Sequence, residues 1–300
     1  MINILISVNG KYLDKAETML HSFRRHNDDV EVTVYLINHT LKAYQTKKFK
    51  KYLKETLDMS FEMITVSNTI FDDFSLGSER FSIEIYYRVL AQFLLPQNVD
   101  RIIWLDADIV ICGNIEKFYN QSFDGNLLIA CPDAAWESEE INHIKENLGL
   151  DKGYVYFNSG VLLLNIEAMR NETNYHDIVR SAYRIADCLV FPDQDLLNYL
   201  YSERVKYCDH NIYNCFPNEY KKMTCDQHDD VVVLHYAGYQ KPWNFICIKE
   251  LSAAVRPYWK EVFLQGRWFS IIKVTFLYLI WLIYDSTGVC NIVRKNGEKQ

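Results

Sequence analysis

Asp106 and Asp108 stand two residues apart, directly after the apolar run Ile102-Ile103-Trp104-Leu105. In extended chain, residues i and i+2 face the same side, so the two carboxylates share one face at a strand end. Like charges this close raise each other's pKa unless a cation or a hydrogen-bond network compensates them. A divalent metal supplies that compensation, and oxygen ligands with open positions suit Mg²⁺ or Mn²⁺. A metal held there can neutralise a diphosphate in the crevice at the carboxyl ends of the strands. Taken alone, Asp-x-Asp is a common pattern that a solvated turn explains better.

The pair needs a sheet to hold it. Residues 2–8 and 30–37 read as strands around a helical stretch, 14–26, with apolar positions at 16, 19, 20 and 23. A Lys-rich helix is expected over 41–57, a strand over 61–66, and one helix from Ile83 to Leu95 that Pro96 halts. Strands follow at 101–105, 127–131, 155–165 and 231–236, with helices near 174–188 and 193–203. This alternation predicts an α/β fold with a mostly parallel, doubly wound sheet flanked by helices.

Composition narrows the class. The 300 residues are 49% hydrophobic and 24% charged, which excludes a disordered chain. A net charge of −7 leaves no basic field for nucleic acid phosphates. Eight scattered cysteines without a C-x-x-C pair read as reduced thiols, and the N-terminus lacks the layout of a secretory signal, so a cytoplasmic protein is expected. Residues 256–300 carry a net +4 against −11 for the rest. Two regions are therefore expected, a catalytic domain over 1–250 and an aromatic, basic helical tail over 251–300. Within the tail, 266–284 has the composition of an interfacial helix on an anionic membrane; a buried helix or a partner groove reads the same way.

Four separate blocks stand in order along the chain. They are Tyr87-Arg88-Val89-Leu90 ahead of the acidic pair, Tyr156-Phe157-Asn158-Ser159-Gly160-Val161, Asp193-Gln194-Asp195, and His235-Tyr236-Ala237-Gly238 with Lys241-Pro242-Trp243. In these blocks the sequence resembles the family 8 glycosyltransferases, retaining enzymes that include bacterial lipopolysaccharide galactosyl- and glucosyltransferases. The resemblance covers about residues 2–245.

It implies a GT-A, Rossmann-like fold and a UDP-hexose donor, UDP-galactose or UDP-glucose, with Mn²⁺ or Mg²⁺. Asp106, Asp108 and His235 are implied as metal ligands, with Ala107 beside the donor. Gly238 and Lys241 are implied at the diphosphate: glycine lets backbone approach a phosphate, and lysine brings a point charge. Arg88 is implied near the donor sugar and phosphates, Asn158 at sugar hydroxyls or the acceptor, Asp193 at donor-sugar hydroxyls, and Gln194 beside the reacting anomeric carbon. Asp133 is implied near the acceptor. Without the resemblance, Asp193 and Asp195 read as an acidic first helical turn.

Ser7, Asn9 and Tyr12 occupy the nucleotide block. There Asn9 stands where the family commonly has an acid, and Lys11 adds a charge. The expected partners are a nucleotide-sugar donor and a saccharide or lipid-linked saccharide acceptor, at the inner face of the cell membrane. A metal-dependent nucleotide-sugar hydrolase and a non-catalytic nucleotide-sugar-binding protein share the same features and remain as alternatives.

Overall fold

Every residue of β1 (Ile2–Ile6) is buried. A strand without a solvent face needs helices on both sides of its sheet. In the computed structural model, which describes residues 1–66, 83–239, 241–244, 252–273 and 275–276, that sheet has seven strands in the order β3-β2-β1-β4-β7-β6-β8. They are β1, β2 (Val32–Asn38), β3 (Ser60–Thr65), β4 (Arg101–Leu105), β6 (Leu128–Pro132), β7 (Phe157–Asn165) and β8 (Val205–Tyr207). β5 (Ile109–Ile111) and β9 (Val233–His235) form a separate antiparallel ribbon.

Alternation splits the core in two. Ile102 and Trp104 of β4 join Leu162 and Leu164 of β7 in one apolar cluster, while Ile103 and Leu105 join Val161 and Leu163 on the opposite face. The helix Leu13–His26 buries Ala16, Met19, Leu20 and Phe23, the positions its periodicity marks.

Six strands of the sheet run one way. β7 alone is antiparallel to both its neighbours, β4 and β6. The expected mostly parallel sheet is thus a mixed one. Because β7 runs backwards, its first residues lie beside the last residues of β4: Leu105 pairs with Val161, and the Asp106 N–H donates to the Gly160 carbonyl at 3.0 Å. Between Ala130 and Pro132 the register against β7 jumps from Leu162 to Phe157. Asn158-Ser159-Gly160 is thereby released from the ladder on the β6 side.

Two further expectations change. The single helix over 83–95 is a 3₁₀ segment, Ile83–Arg88, followed by a short α-helix, Ala91–Leu94. Every residue from Tyr86 to Gln92 is buried, so no solvent face remains for a regular amphipathic helix, and packing overrides periodicity. The strand expected over 231–236 leaves the main sheet for the ribbon. It covers a third, smaller core in which Val110, Leu234 and Tyr236 meet Val255, Tyr258 and Val262 of the helix Ser252–Leu264.

This last helix is held by charge as well. Glu261, 2% exposed, accepts from Arg25 and faces His21 Nδ1 at 2.8 Å, while Arg267 donates to Asp14 at 2.8 Å. Burial raises the Asp14 carboxyl, but Lys15 and Arg267 outweigh it and leave the group below its ordinary value. Beyond this helix, Trp268, Phe269, Ile272 and Phe276 are exposed. The remainder of the 266–284 segment, from 277 onward, lies outside the described residues. Among the described residues no helix is long and apolar enough to cross a membrane.

Candidate functional site

The chain turns at the end of β4, where Asp106, Ala107 and Asp108 separate it from β5. The pair therefore sits in a turn rather than in extended strand. β9 zips against β5 with His235 opposite Ile109, which brings the imidazole next to Asp108. Nε2 of His235 is 3.5 Å from Asp108 Oδ1 and 3.9 Å from Asp106 Oδ2. One ligand atom from each of the three residues lies within 4.8 Å of the others. Two carboxylates and an imidazole suit a first-row divalent ion such as Mn²⁺, and Nε2 faces the two acids while Nδ1 is taken by Asn214. The donor set fits a metal.

The cations are arranged around these acids. Arg88, 8% exposed, donates to Asp106 Oδ1 at 2.9 Å and to the Ser159 carbonyl at 2.7 Å, and its Nε is 3.1 Å from Asp193 Oδ2. Its guanidinium carbon lies 4.4 Å from the centre of the Trp104 ring, and the Trp104 indole N–H donates to Asp106 at 2.9 Å. Lys241 donates to Asp108 Oδ2 and, at 2.8 Å, to the Tyr236 carbonyl. Gly238, just upstream, has φ +68°, a conformation that favours glycine.

The two acids respond in opposite directions. Burial raises Asp106, and Arg88 does not fully offset it. Burial also raises Asp108, yet His235 and Lys241 together outweigh it and hold that carboxyl well below the usual range.

Amides make up the opposite wall. Gln194 Oε1 accepts from Asn158 Nδ2 and from the Ser159 N–H, both at 3.0 Å, while Asp133 Oδ2 accepts from Asn158 at 3.2 Å and from Gln194 Nε2 at 3.4 Å. Asp193 Oδ2 accepts from the Ser159 hydroxyl at 3.0 Å. Arg88, Asp106, Asp108, Asp133, Asn158, Asp193, Gln194, His235, Gly238 and Lys241 line one crevice of about 490 Å³. Phe191, Phe216 and Ile141 give it apolar sides.

The nucleotide block lies apart from it. Ser7, Asn9, Tyr12 and Ala107 do not line this crevice. Ser7 Oγ is buried without a hydrogen-bond partner among the described residues, and Asn9 Oδ1 accepts from the Lys11 N–H at 3.0 Å. Tyr12 meets the Trp243 ring edge-on at 6.1 Å. β1 adjoins β4 in parallel, so Ser7–Tyr12 leave the sheet at the same carboxyl end of the strands as Asp106. Ala107 is buried in the core beneath.

Sequence reasoning assigned no role to Trp104, Asn214 or Phe216. Asn214 touches both Asn158 and His235, 56 and 21 residues away. No local pattern marks it.

A mixed seven-stranded sheet with helices on both faces and acids turning off β4 is the architecture of the GT-A glycosyltransferases. The solved structure of the galactosyltransferase LgtC with donor and acceptor sugar analogues superposes with a TM-score of 0.71 at 22% identity, over 85% of this chain and 95% of that one. The profile of glycosyl transferase family 8 matches residues 3–247, and the chain belongs to that family. An Escherichia coli lipopolysaccharide 1,2-glucosyltransferase is 26% identical across 64% of this chain. Glycosyltransferase GlyF of Streptococcus pneumoniae is 22% identical across 88% of it. The chain spans 61% and 63% of the length of these two relatives.

Proposed function

We propose that the protein is a retaining hexosyltransferase that moves glucose or galactose from a UDP-sugar to a hydroxyl of a saccharide acceptor. The observation that carries this reading is the convergence of Asp106, Asp108 and His235 at one end of a crevice whose other wall holds Gln194 and Asp193. Family membership and the activities of the similar lipopolysaccharide glucosyltransferase and galactosyltransferase support it.

Asp106, Asp108 and His235 would hold Mn²⁺ or Mg²⁺, which supplies charge neutralisation at the leaving diphosphate. Lys241 and the Gly238 backbone would bind the same phosphates, with Lys241 exchanging Asp108 for phosphate oxygen. Ser7, Asn9 and Tyr12 would receive the nucleotide beside Ala107. Arg88 holds Asp193 for the donor-sugar hydroxyls, and Asn158 and Asp133 flank the side from which the acceptor enters. Gln194 is a neutral amide and a poor nucleophile, and Asp193 is already committed to Arg88 and Ser159. Attack by the acceptor oxygen on the face that the leaving group departs therefore accounts for retention: the C–O bond to phosphate breaks, and the acceptor proton passes to the released phosphate oxygen. Trapping a covalent sugar on Asp193 with a slow fluorinated donor would replace this route.

The decisive experiment is UDP release from a panel of nucleotide sugars, with Mn²⁺ or with chelator, in wild type and Asp108→Ala. Metal-dependent release from one UDP-hexose that rises with added saccharide and is lost in the variant supports the transferase. Release that ignores every acceptor favours a hydrolase. Binding without release favours a nucleotide-sugar-binding protein.

The acceptor belongs to lipopolysaccharide, capsule or another cell-surface glycan, met at the inner face of the membrane. Residues 1–250 would form the catalytic domain and 251–300 a tail whose first helix, Ser252–Leu264, packs on that domain and whose membrane-facing part begins near Trp268. Exposed Trp268, Phe269, Ile272 and Phe276 beside Lys273 motivate this reading. Flotation with anionic liposomes tests it, and equal flotation of wild type and a Trp268→Ser/Phe269→Ser/Ile272→Ser variant would sink it.

A further inference from the structure

We infer that Asn214 is a positioning residue that fixes the tautomer and orientation of the His235 ring on one side and the orientation of Asn158 on the other, joining the metal side of the crevice to the amide wall. The inference rests on the proposed metal role of His235.

Asn214 is completely buried at the end of the short helix His210–Tyr213. Its Oδ1 lies 2.8 Å from His235 Nδ1, and its Nδ2 donates to Asn158 Oδ1 at 3.0 Å. Which end of each amide points where is decided by backbone donors. The Gly160 N–H, 2.9 Å from Asn158 Oδ1, can only donate, so that atom is the acceptor end of Asn158. Asn214 must then offer its NH₂ to Asn158 and its carbonyl to the imidazole. A carbonyl only accepts, so His235 carries a proton on Nδ1, and in the neutral ring the lone pair of Nε2 faces Asp106 and Asp108.

The alternation of donor and acceptor continues through Asn158. Its NH₂ meets Gln194 Oε1, whose acceptor end is set by the Ser159 N–H. An unbroken, uniquely oriented relay therefore links His235, Asn214, Asn158 and Gln194. The ring itself has little room to turn. Phe216 meets it edge-on at 5.6 Å, and a Cβ at Gly160 would fall 2.2 Å from its Cε1.

Two substitutions separate the two ends. Asn214→Leu removes both hydrogen bonds; Asn214→Asp keeps an acceptor for His235 but loses the donor to Asn158. Mn²⁺ affinity, read directly by electron paramagnetic resonance without substrate, is expected to fall about 10–100-fold in Asn214→Leu and to stay within about threefold in Asn214→Asp. UDP-hexose turnover falls in both. Wild-type affinity in folded Asn214→Leu, or equal loss of affinity in both variants, overturns the inference.

Nitrogen NMR of His235 in metal-free wild type is independent of variant folding. A proton on Nδ1 is expected, and a proton on Nε2 of the neutral ring overturns the inference. Absence of Mn²⁺ binding by wild type would instead strike the metal reading of the preceding section, and the tautomer would still decide the role of Asn214.

Discussion

The chain contains two Asp-x-Asp sequences, Asp106-Ala107-Asp108 and Asp193-Gln194-Asp195, with the same spacing and different fates. The first lies in a turn after β4, and both carboxylates converge on His235. The second opens the helix Pro192–Tyr201, where residues two apart point about 200° apart around the axis. Asp193 therefore faces Arg88 in the crevice, while Asp195, completely buried, turns into the core. There it accepts from the Tyr156 hydroxyl and from the Val190 and Phe191 N–H groups at 2.6 and 2.8 Å, closing the start of the helix. Spacing alone thus gives no chemical meaning to a pair of acids; the backbone beneath them decides whether they share a ligand or divide between site and scaffold.

Among the described residues Arg88 is the one side chain that touches both pairs, through Asp106 and Asp193, so its removal has the largest expected effect. Arg88→Met leaves two half-buried carboxylates without their cation, and loss of about 2–4 kcal/mol in urea unfolding is expected together with loss of turnover. Unchanged stability would mean that the two pairs are independent.

Asp108→Ala separates the pairs. Turnover of the UDP-hexose is expected to drop about 100–1000-fold, the range for removing one key electrostatic group, with a smaller loss of stability than in Arg88→Met because the contacts of one carboxylate to Lys241 and His235 are removed. Asp195→Ala should do the reverse in stability, lowering it by about 2–4 kcal/mol by leaving the Tyr156 hydroxyl and two N–H groups unsatisfied. Its nucleotide-sugar KM should stay close to wild type if the substituted protein remains folded. An equal fall in turnover and equal rise in KM in both variants would erase the difference between the two pairs.

The smallest expected effect is a pH slope. Burial raises the Asp195 carboxyl above its ordinary value of 3.8, and the hydrogen bonds from Tyr156, Val190 and Phe191 do not fully offset this. A folded-state value above the unfolded one favours the protonated form, so this group's contribution is fully present below 3.8 and is lost as pH rises through the folded value. The stability gap between wild type and Asp195→Asn should therefore narrow on going from about pH 4 to pH 7 in urea unfolding. A gap that widens would show that the hydrogen bonds outweigh burial.

Much of this was legible in order along the chain. Helix and strand periodicity marked Ala16, Met19, Leu20 and Phe23 as an inward face and Ile102–Leu105 as a buried strand, because both patterns depend only on near neighbours. The acidic pair was readable from its spacing, and the Asn158 block, the Asp193 block and His235 were readable as candidates because they stand in ordered blocks that resemble the family 8 glycosyltransferases. Other features were not readable. The 3₁₀ segment ending at Arg88 resembles a helix by period, and only the burial of its whole circumference shows otherwise. Asn214 carries no mark, because both its partners are distant in sequence.

By itself the sequence determined the α/β alternation, the acids and imidazole available, and the segments on which they sit. The tertiary structure decided that β7 runs against its neighbours, which sets Asn158-Ser159-Gly160 beside Asp106, and that β9 pairs with β5, which sets His235 beside Asp108. It also decided which end of each amide faces which neighbour. The physical reason is range: propensity and periodicity act over a few residues, whereas strand direction, register and the satisfaction of buried hydrogen bonds are settled only when distant segments meet and exclude water.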